Sequence, residues 1–505
     1  MIAVTEPAFK GEVMNTAINQ LLQFGLDHNM IQADDISYAA NKLLDLFGLD
    51  SFEYEPAEYE SLYQILDDML EYAVSNQLIE NTTTQKDLFD TRIMDCIMPR
   101  PSEVTEKFWK DYAKSPKKAT DDYYDLSINS NYIRKSRTDK NIGFTTPSRY
   151  GDIQISINLS KPEKDPKEIA AARNVKSSGY PKCLLCKENV GYAGHANHPA
   201  RQTHRIIPLN LKSGKYYMQY SPYVYYNEHC IILNENHEPM RVDRGTFENL
   251  FQFITLFPHY MLGSNTDIPI VGGSILTHDH YQGGRHRFPI QDAKVIEEFD
   301  LDGVHAEMID WPLSTLRLRD ADPEKLTDLA EKVLSAWIGY EDADLDIIPS
   351  TDGVRHNAIT PISRRVGDDY EIDLVLRNNR TSERYPDGIF HPHPEHHHIK
   401  KENIGLIEVM GLAILPARLK DELALIEKVL KNEIRAEDEP SLEKHLPWIE
   451  ELRAKYSNDM DVHAFVEQET GNKFVKVLEN AGVFKMDEEG LNGFRRFVKT
   501  LEENQ

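Results

Sequence analysis

The sequence predicts an α+β protein: a helical N-terminal region, a strand-rich middle and a helical C-terminal tail. Apolar residues recur at helical spacing over the first 120 residues and again beyond about residue 400. Between these stretches, polar and apolar residues alternate as they do in half-buried strands. The chain has 505 residues, more than one hydrophobic core serves, which points to two or more domains or a duplicated unit.

Leu62, Ile65, Leu66, Met69, Leu70 and Ala73 form one apolar stripe, read as a packing face. Asp34 or Asp35 is placed to cap a helix through Leu43, Leu44 and Phe47, with Gly48 as its stop. From about residue 125 the pattern changes, and Asp152-Ile-Gln-Ile-Ser-Ile-Asn158 alternates as a strand. Residues 161–182, rich in Lys and Pro, read as a linker or exposed loop. Further strand candidates run from Tyr216 to Leu233, from Ile268 to Gln282 with an interruption at Gly272-Gly273, and from Tyr370 to Leu376. Helices return at Asn403 to Leu412 and continue to Gln505, with a break at residues 436–440. His278-Asp-His280 has a loose echo in His391-Pro-His393 and His396-His397-His398. Two related halves and coincidence both account for it.

Hydrophobic residues make up 40% and aromatics 9%, enough for a packed core. A net charge of −26 disfavours nucleic-acid polymers and anionic lipid as partners, while leaving room for a small anionic substrate in a local pocket. No apolar run is long enough to span a membrane, and the N-terminus shows no basic region followed by an apolar stretch. The four cysteines, Cys96, Cys183, Cys186 and Cys230, do not make a disulfide framework, so a reduced, cytoplasmic protein is expected.

The chemistry concentrates at His278-Asp-His-Tyr-Gln282. On a strand over 274–282, Ser274, Leu276, His278, His280 and Gln282 share one face, and Asp279 and Tyr281 point the other way. Gly283-Gly284 and Gly272-Gly273 flank the motif, and glycine lets backbone approach a ligand closely. A neutral imidazole suits attack on phosphorus, and the Gln282 amide is a donor for a phosphate oxygen. Cys183-Leu-Leu-Cys186 has the spacing of a zinc knuckle, with a redox dithiol as the rival reading. His278 and His237 are candidates for the remaining two ligands. A closed Cys2His2 site of this kind is structural, because it keeps no open position.

These residues resemble the galactose-1-phosphate uridylyltransferases, in the longer class II form, a branch of the histidine-triad superfamily. The resemblance runs over most of the chain. It is carried by residues 191–205 (Gly-Tyr-Ala-Gly-His-Ala-Asn-His-Pro-Ala-Arg-Gln-Thr-His-Arg), 220–230, 273–284 and 397–411. It implies a duplicated antiparallel sheet core, with a helical region at 1–124, two uridylyltransferase halves at 125–290 and 291–430, and a helical tail at 431–505. It implies transfer of UMP from UDP-glucose to galactose 1-phosphate by a ping-pong route, a step of galactose catabolism. His280 would be the nucleophile and Gln282 the partner of the adduct's phosphate. Gly273, Ser274 and Gly283 would contact substrate. Zinc would be held by Cys183, Cys186, His237 and His278, and the protein would be a homodimer. Class I relatives have Pro between the two histidines, where this chain has Asp279. A histidine-triad hydrolase or transferase acting on dinucleoside polyphosphates is the alternative.

Overall fold

The computed structural model describes residues 6–160, 179–273 and 275–503, with side chains from residue 13 onward. Ser274 and most of the predicted 161–182 linker lie outside the described residues. The chain divides into two compact units. The first comprises residues 1–139, 160–209 and 217–224, and the second comprises 140–159, 210–216 and 225–505.

The first unit is largely helical. Helices Glu6–Asp27, Ile36–Phe47, Leu62–Ser75 and Thr83–Asp95 share one apolar core that includes Leu21, Leu43, Leu66, Met69 and Ile93. All six residues of the predicted stripe are buried on the third helix, whose N-terminal turn is capped by Ser61. Gly48 ends the second helix at φ +65°, a left-handed conformation that favours glycine. Asp35 stands at that helix's N-cap, but its side chain accepts the Gln32 N–H at 2.8 Å instead of capping the turn. Helix Pro116–Asn129 runs across residue 125, where a change of pattern was expected, and the first strand comes later.

Among the described residues fifteen strands follow: β1 Ile142–Ser148, β2 Gly151–Ile157, β3 Ile207–Leu211, β4 Gly214–Tyr220, β5 Cys230–Asn234, β6 Met261–Gly263, β7 His280–Gly284, β8 Val295–Leu301, β9 Val304–Ile309, β10 Thr315–Asp320, β11 Ser350–Thr351, β12 Val354–Arg355, β13 Asn357–Val366, β14 Asp369–Asn378 and β15 Leu412–Leu415. Ten of them form one sheet in the order β3-β4-β5-β7-β6-β13-β14-β10-β9-β8. The fold is therefore α+β around a large sheet in which the β5–β7, β6–β7, β6–β13, β13–β14, β10–β14, β9–β10 and β8–β9 pairs are antiparallel.

In the second unit, helices Arg244–Leu256 and Pro323–Gly339 pack on β13. The same unit holds a second core in which Trp311, Phe288 and Val409 meet the C-terminal helices through Trp448, Phe474 and Leu478. The predicted helix from Asn403 to Leu412 is shorter, Leu406–Val409, because Leu412–Leu415 instead pairs in parallel with β2. The predicted C-terminal helices form at Leu419–Leu430, Leu446–Lys455, Val462–Ala481 and Glu488–Glu503.

Several histidines are buried in their neutral form. Burial, aided by Arg201, pushes His204 down to about 3. Burial and the neighbouring His445, whose Nδ1 lies 2.9 Å from its own, push His398 down to about 3. An unfolded histidine binds its proton near pH 6.5, so the unfolded chain takes up protons that the folded chain refuses. The stabilising contribution is thus complete above about pH 6.5 and is lost as pH falls towards 3. At pH 5 each of the two should cost about 2 kcal/mol relative to pH 7. Urea titrations at the two pH values test this: the midpoint should drop at pH 5, and an unchanged midpoint would refute the assignment.

Candidate active site

The predicted strand over 274–282 begins only at His280, and residues 264–279 are irregular among those described. The glycines explain the departure. A Cβ on Gly272 would lie 2.6 Å from Thr266 Oγ1, and one on Gly273 2.7 Å from Asn265 Nδ2. The chain folds tightly back on itself there, which a continuous strand does not do. From Asp279 into β7 the expected alternation holds. Asp279 and Tyr281 face away from the histidine side: Tyr216 Oη donates to Asp279 Oδ2 at 2.7 Å, and Asn249 Nδ2 donates to Tyr281 Oη at 3.0 Å. Gly283 is buried where a Cβ would meet the Met261 carbonyl oxygen at 2.6 Å, so the β6–β7 pairing itself calls for glycine there.

His280 is buried, and its Nδ1 lies 2.8 Å from the His278 carbonyl oxygen. A carbonyl only accepts, so Nδ1 carries the proton and the lone pair is on Nε2. Burial pushes His280 down to about 4, against the opposing effect of that same hydrogen bond, so the ring is neutral at pH 7. A neutral imidazole with a fixed tautomer is a nucleophile whose attacking nitrogen needs no prior deprotonation. Gln282, two residues on, pairs with Ile231 of β5, and its Oε1 lies 3.1 Å from His229 Nε2. His229 had no role in the sequence reading. It sits in the tyrosine-rich 220–230 segment, and only the β5–β7 pairing brings it to Gln282.

Cys183 and Cys186 form a knuckle. Their Sγ atoms are 3.6 Å apart, and Asn189 Nδ2 donates to both of their carbonyl oxygens, at 2.9 and 2.7 Å. His198 Nε2 in turn lies 2.6 Å from Asn189 Oδ1. His237 and His278 bring their ring centroids within 5.0 Å. His278 Nε2 lies 2.9 Å from the Asn234 carbonyl oxygen, which makes Nε2 the protonated nitrogen and Nδ1 the nitrogen suited to a cation. Together Cys183, Cys186, His237 and His278 are a group that could hold a metal ion, with ligand atoms all within 4.8 Å of one another. The fit is chemical as well as geometric. Two thiolates on a tetrahedral zinc stand about 3.8 Å apart. Burial pushes the Cys183 thiol up to about 11, so a thiolate there requires a cation beside it.

The later histidine cluster is tied into the second unit. His393 stacks on Tyr385 at 4.1 Å, His397 Nε2 donates to the Pro392 carbonyl oxygen at 2.8 Å, and His391 Nε2 lies 3.2 Å from Asn403 Oδ1. His396 and His398 are buried rather than solvated.

A neutral imidazole of fixed tautomer and a carboxamide on one strand of an antiparallel sheet are the groups that histidine-based group transfer uses. Residues 29–239 match the family model for the galactose-1-phosphate uridyl transferase N-terminal domain, and residues 253–446 match that for the C-terminal domain. The chain belongs to the galactose-1-phosphate uridyl transferase family. It is 52% identical over 497 residues to the galactose-1-phosphate uridylyltransferase of Clostridium acetobutylicum, covering 97% of this chain and 100% of that one. The same-named protein of Caldanaerobacter subterraneus is 52% identical over 503 residues, covering 96% of this chain and 97% of its own. Galactose-1-phosphate uridylyltransferase 1 of Streptococcus pneumoniae is 46% identical over 493 residues, covering 97% and 99%. Among solved structures, yeast Ap4A phosphorylase Apa2 is matched at a TM-score of 0.35 and 11% identity, over 61% of this chain and 88% of that one.

Proposed function

We propose that this protein moves a uridylyl group from UDP-glucose to galactose 1-phosphate through a covalent UMP adduct on His280. His280 Nε2 attacks the α-phosphorus, a P–N bond forms, the bond to the bridging oxygen breaks, and glucose 1-phosphate leaves. A phosphate oxygen of galactose 1-phosphate then attacks the same phosphorus. The P–N bond breaks and returns its electron pair to Nε2, and UDP-galactose is released. The reading rests above all on the 2.8 Å hydrogen bond from His280 Nδ1 to the His278 carbonyl oxygen, which leaves Nε2 free to attack. The near-full-length identity to proteins named for this activity supports the substrates. In this reading the Gln282 amide donates to the adduct's phosphate, and Gly273, Ser274 and Gly283 contact substrate.

Zinc is the ion we assign to Cys183, Cys186, His237 and His278. Bound there, it would supply no reacting group, only a fixed position for His278 and so for the backbone carbonyl that orients His280. We further assign the protein a homodimeric state, as the family resemblance implies, and a reducing, cytoplasmic location that suits its four free cysteines.

Mass spectrometry after brief exposure to UDP-glucose tests the reaction. A UMP increment is expected on the peptide holding His280, and added galactose 1-phosphate should discharge it as UDP-galactose. Nucleotide hydrolysis with no trapped adduct and no UDP-galactose would overturn the proposal.

A further inference from the structure

We propose that His229 is a positioning residue for uridylyl transfer, holding the Gln282 carboxamide so that its NH2 end, and not its carbonyl oxygen, is presented to the phosphate. The inference rests on the reading of Gln282 as the adduct's phosphate donor.

Four observations carry it. Cys230 pairs with Gly283, so His229 stands at the entrance of β5, diagonal to Gln282. The His229 ring is buried and packed against Tyr226 and Tyr225, at centroid distances of 4.6 and 5.6 Å. Its Nε2 lies 3.1 Å from Gln282 Oε1. Its Nδ1 has no hydrogen-bond partner among the described residues. Burial also pushes His229 down to about 4, so at pH 7 the ring carries a single N–H.

That proton has two places to go. On Nδ1 it would be a buried donor without an acceptor, at a cost of about 1–3 kcal/mol. On Nε2 it donates to Gln282 Oε1. The Nε2 tautomer therefore wins, and it fixes the amide. A carboxamide turned over would set its NH2 against the imidazole N–H, donor against donor. Gln282 is thus committed to using its oxygen on His229 and keeping its NH2 for an anion. A glutamine without this partner would present its oxygen to the phosphate in part of the population, where it repels.

The test compares wild type, H229N, Q282A, the double variant and H229Q. Asparagine places its amide near the ring's Nδ1 position, short of Gln282, whereas glutamine carries an N–H donor to about the position of Nε2. Measured are kcat, KM for UDP-glucose and thermal midpoint. H229N should lower kcat about 10- to 100-fold with little change in KM, a smaller loss than removing a phosphate donor outright. In the Q282A background the same substitution should change kcat less than about threefold, because there is nothing left to orient. H229Q should recover most of the rate. The proposal is overturned if H229N turns over at the wild-type rate, or if it costs as much beside Ala substitution of Gln282 as beside the native glutamine. Should H229N fail to fold, H229Q decides: near-wild-type turnover supports the proposal and a loss equal to that of Q282A sinks it. Wild-type turnover by Q282A would be a different result, removing the phosphate role of Gln282 itself and with it anything for His229 to position.

Discussion

Replacing His280 by asparagine should abolish uridylyl transfer, with a loss on the order of 10,000-fold or more, as for removal of a covalent nucleophile elsewhere. The size follows from the proposed route. Each displacement passes through the P–N bond, and the adjacent imidazole of His278 does not replace it, because its Nε2 is committed to the Asn234 carbonyl oxygen. Asparagine keeps an N–H donor near the Nδ1 position, so the bond to the His278 carbonyl oxygen can persist and the fold should hold. The lost ring leaves a cavity costing roughly 1–3 kcal/mol. Exchange of labelled glucose 1-phosphate into UDP-glucose is the assay, because it reports the first displacement without an acceptor. H280G should regain part of that exchange with added imidazole, which can occupy the vacated volume and attack from it. Exchange at the ordinary rate in H280N would show that the nucleophile lies elsewhere.

What could be read from the sequence follows the range of the interactions concerned. The stripe from Leu62 to Ala73 and the stop at Gly48 depend on contacts within a few residues, and both are where periodicity and glycine placed them. That His280 and Gln282 share one face of a strand is legible because a period of two is local. The strand start was not. A stretch of alternating residues from 274 looked continuous, but close approaches at Gly272 and Gly273 to Thr266 and Asn265 hold the chain out of the sheet until His280. Periodicity alone makes Leu412 the end of a helix, but the parallel pairing of Leu412–Leu415 with β2, far away in sequence, overrides local propensity. His229 is the clearest case. Nothing in Tyr-Tyr-Asn-Glu-His-Cys marks it, since its meaning arises only when β5 lies beside β7. Long-range pairing carries no sequence period, so the residues that orient a site are harder to find than those that react in it.

Removing the metal, by chelation or by C183S, should cost both stability and rate, and for reasons that can be separated. A structural zinc contributes on the order of 10–16 kcal/mol to the folding of peptides that have no other core. This chain has extensive cores of its own, so only a local part of that energy is at stake, and the midpoint should fall by several degrees without global unfolding. The rate should fall further than the stability loss explains. His280 takes its tautomer from the His278 carbonyl oxygen at 2.8 Å, and the His278 side chain is a proposed ligand, so loosening the ligand loosens the acceptor. Nε2 would then carry the proton in part of the population and could not attack. Three readings separate these effects: metal content, expected at about one zinc per chain and lost in C183S; the thermal midpoint; and the single-turnover rate of UMP adduct formation well below that midpoint. Restoring zinc to the chelated wild type should recover all three, and to C183S none. A metal-free protein that melts at the wild-type temperature and forms the adduct at the wild-type rate would show that the hydrogen bonds among Cys183, Cys186 and Asn189, and from His278 to Asn234, suffice to hold the site without an ion.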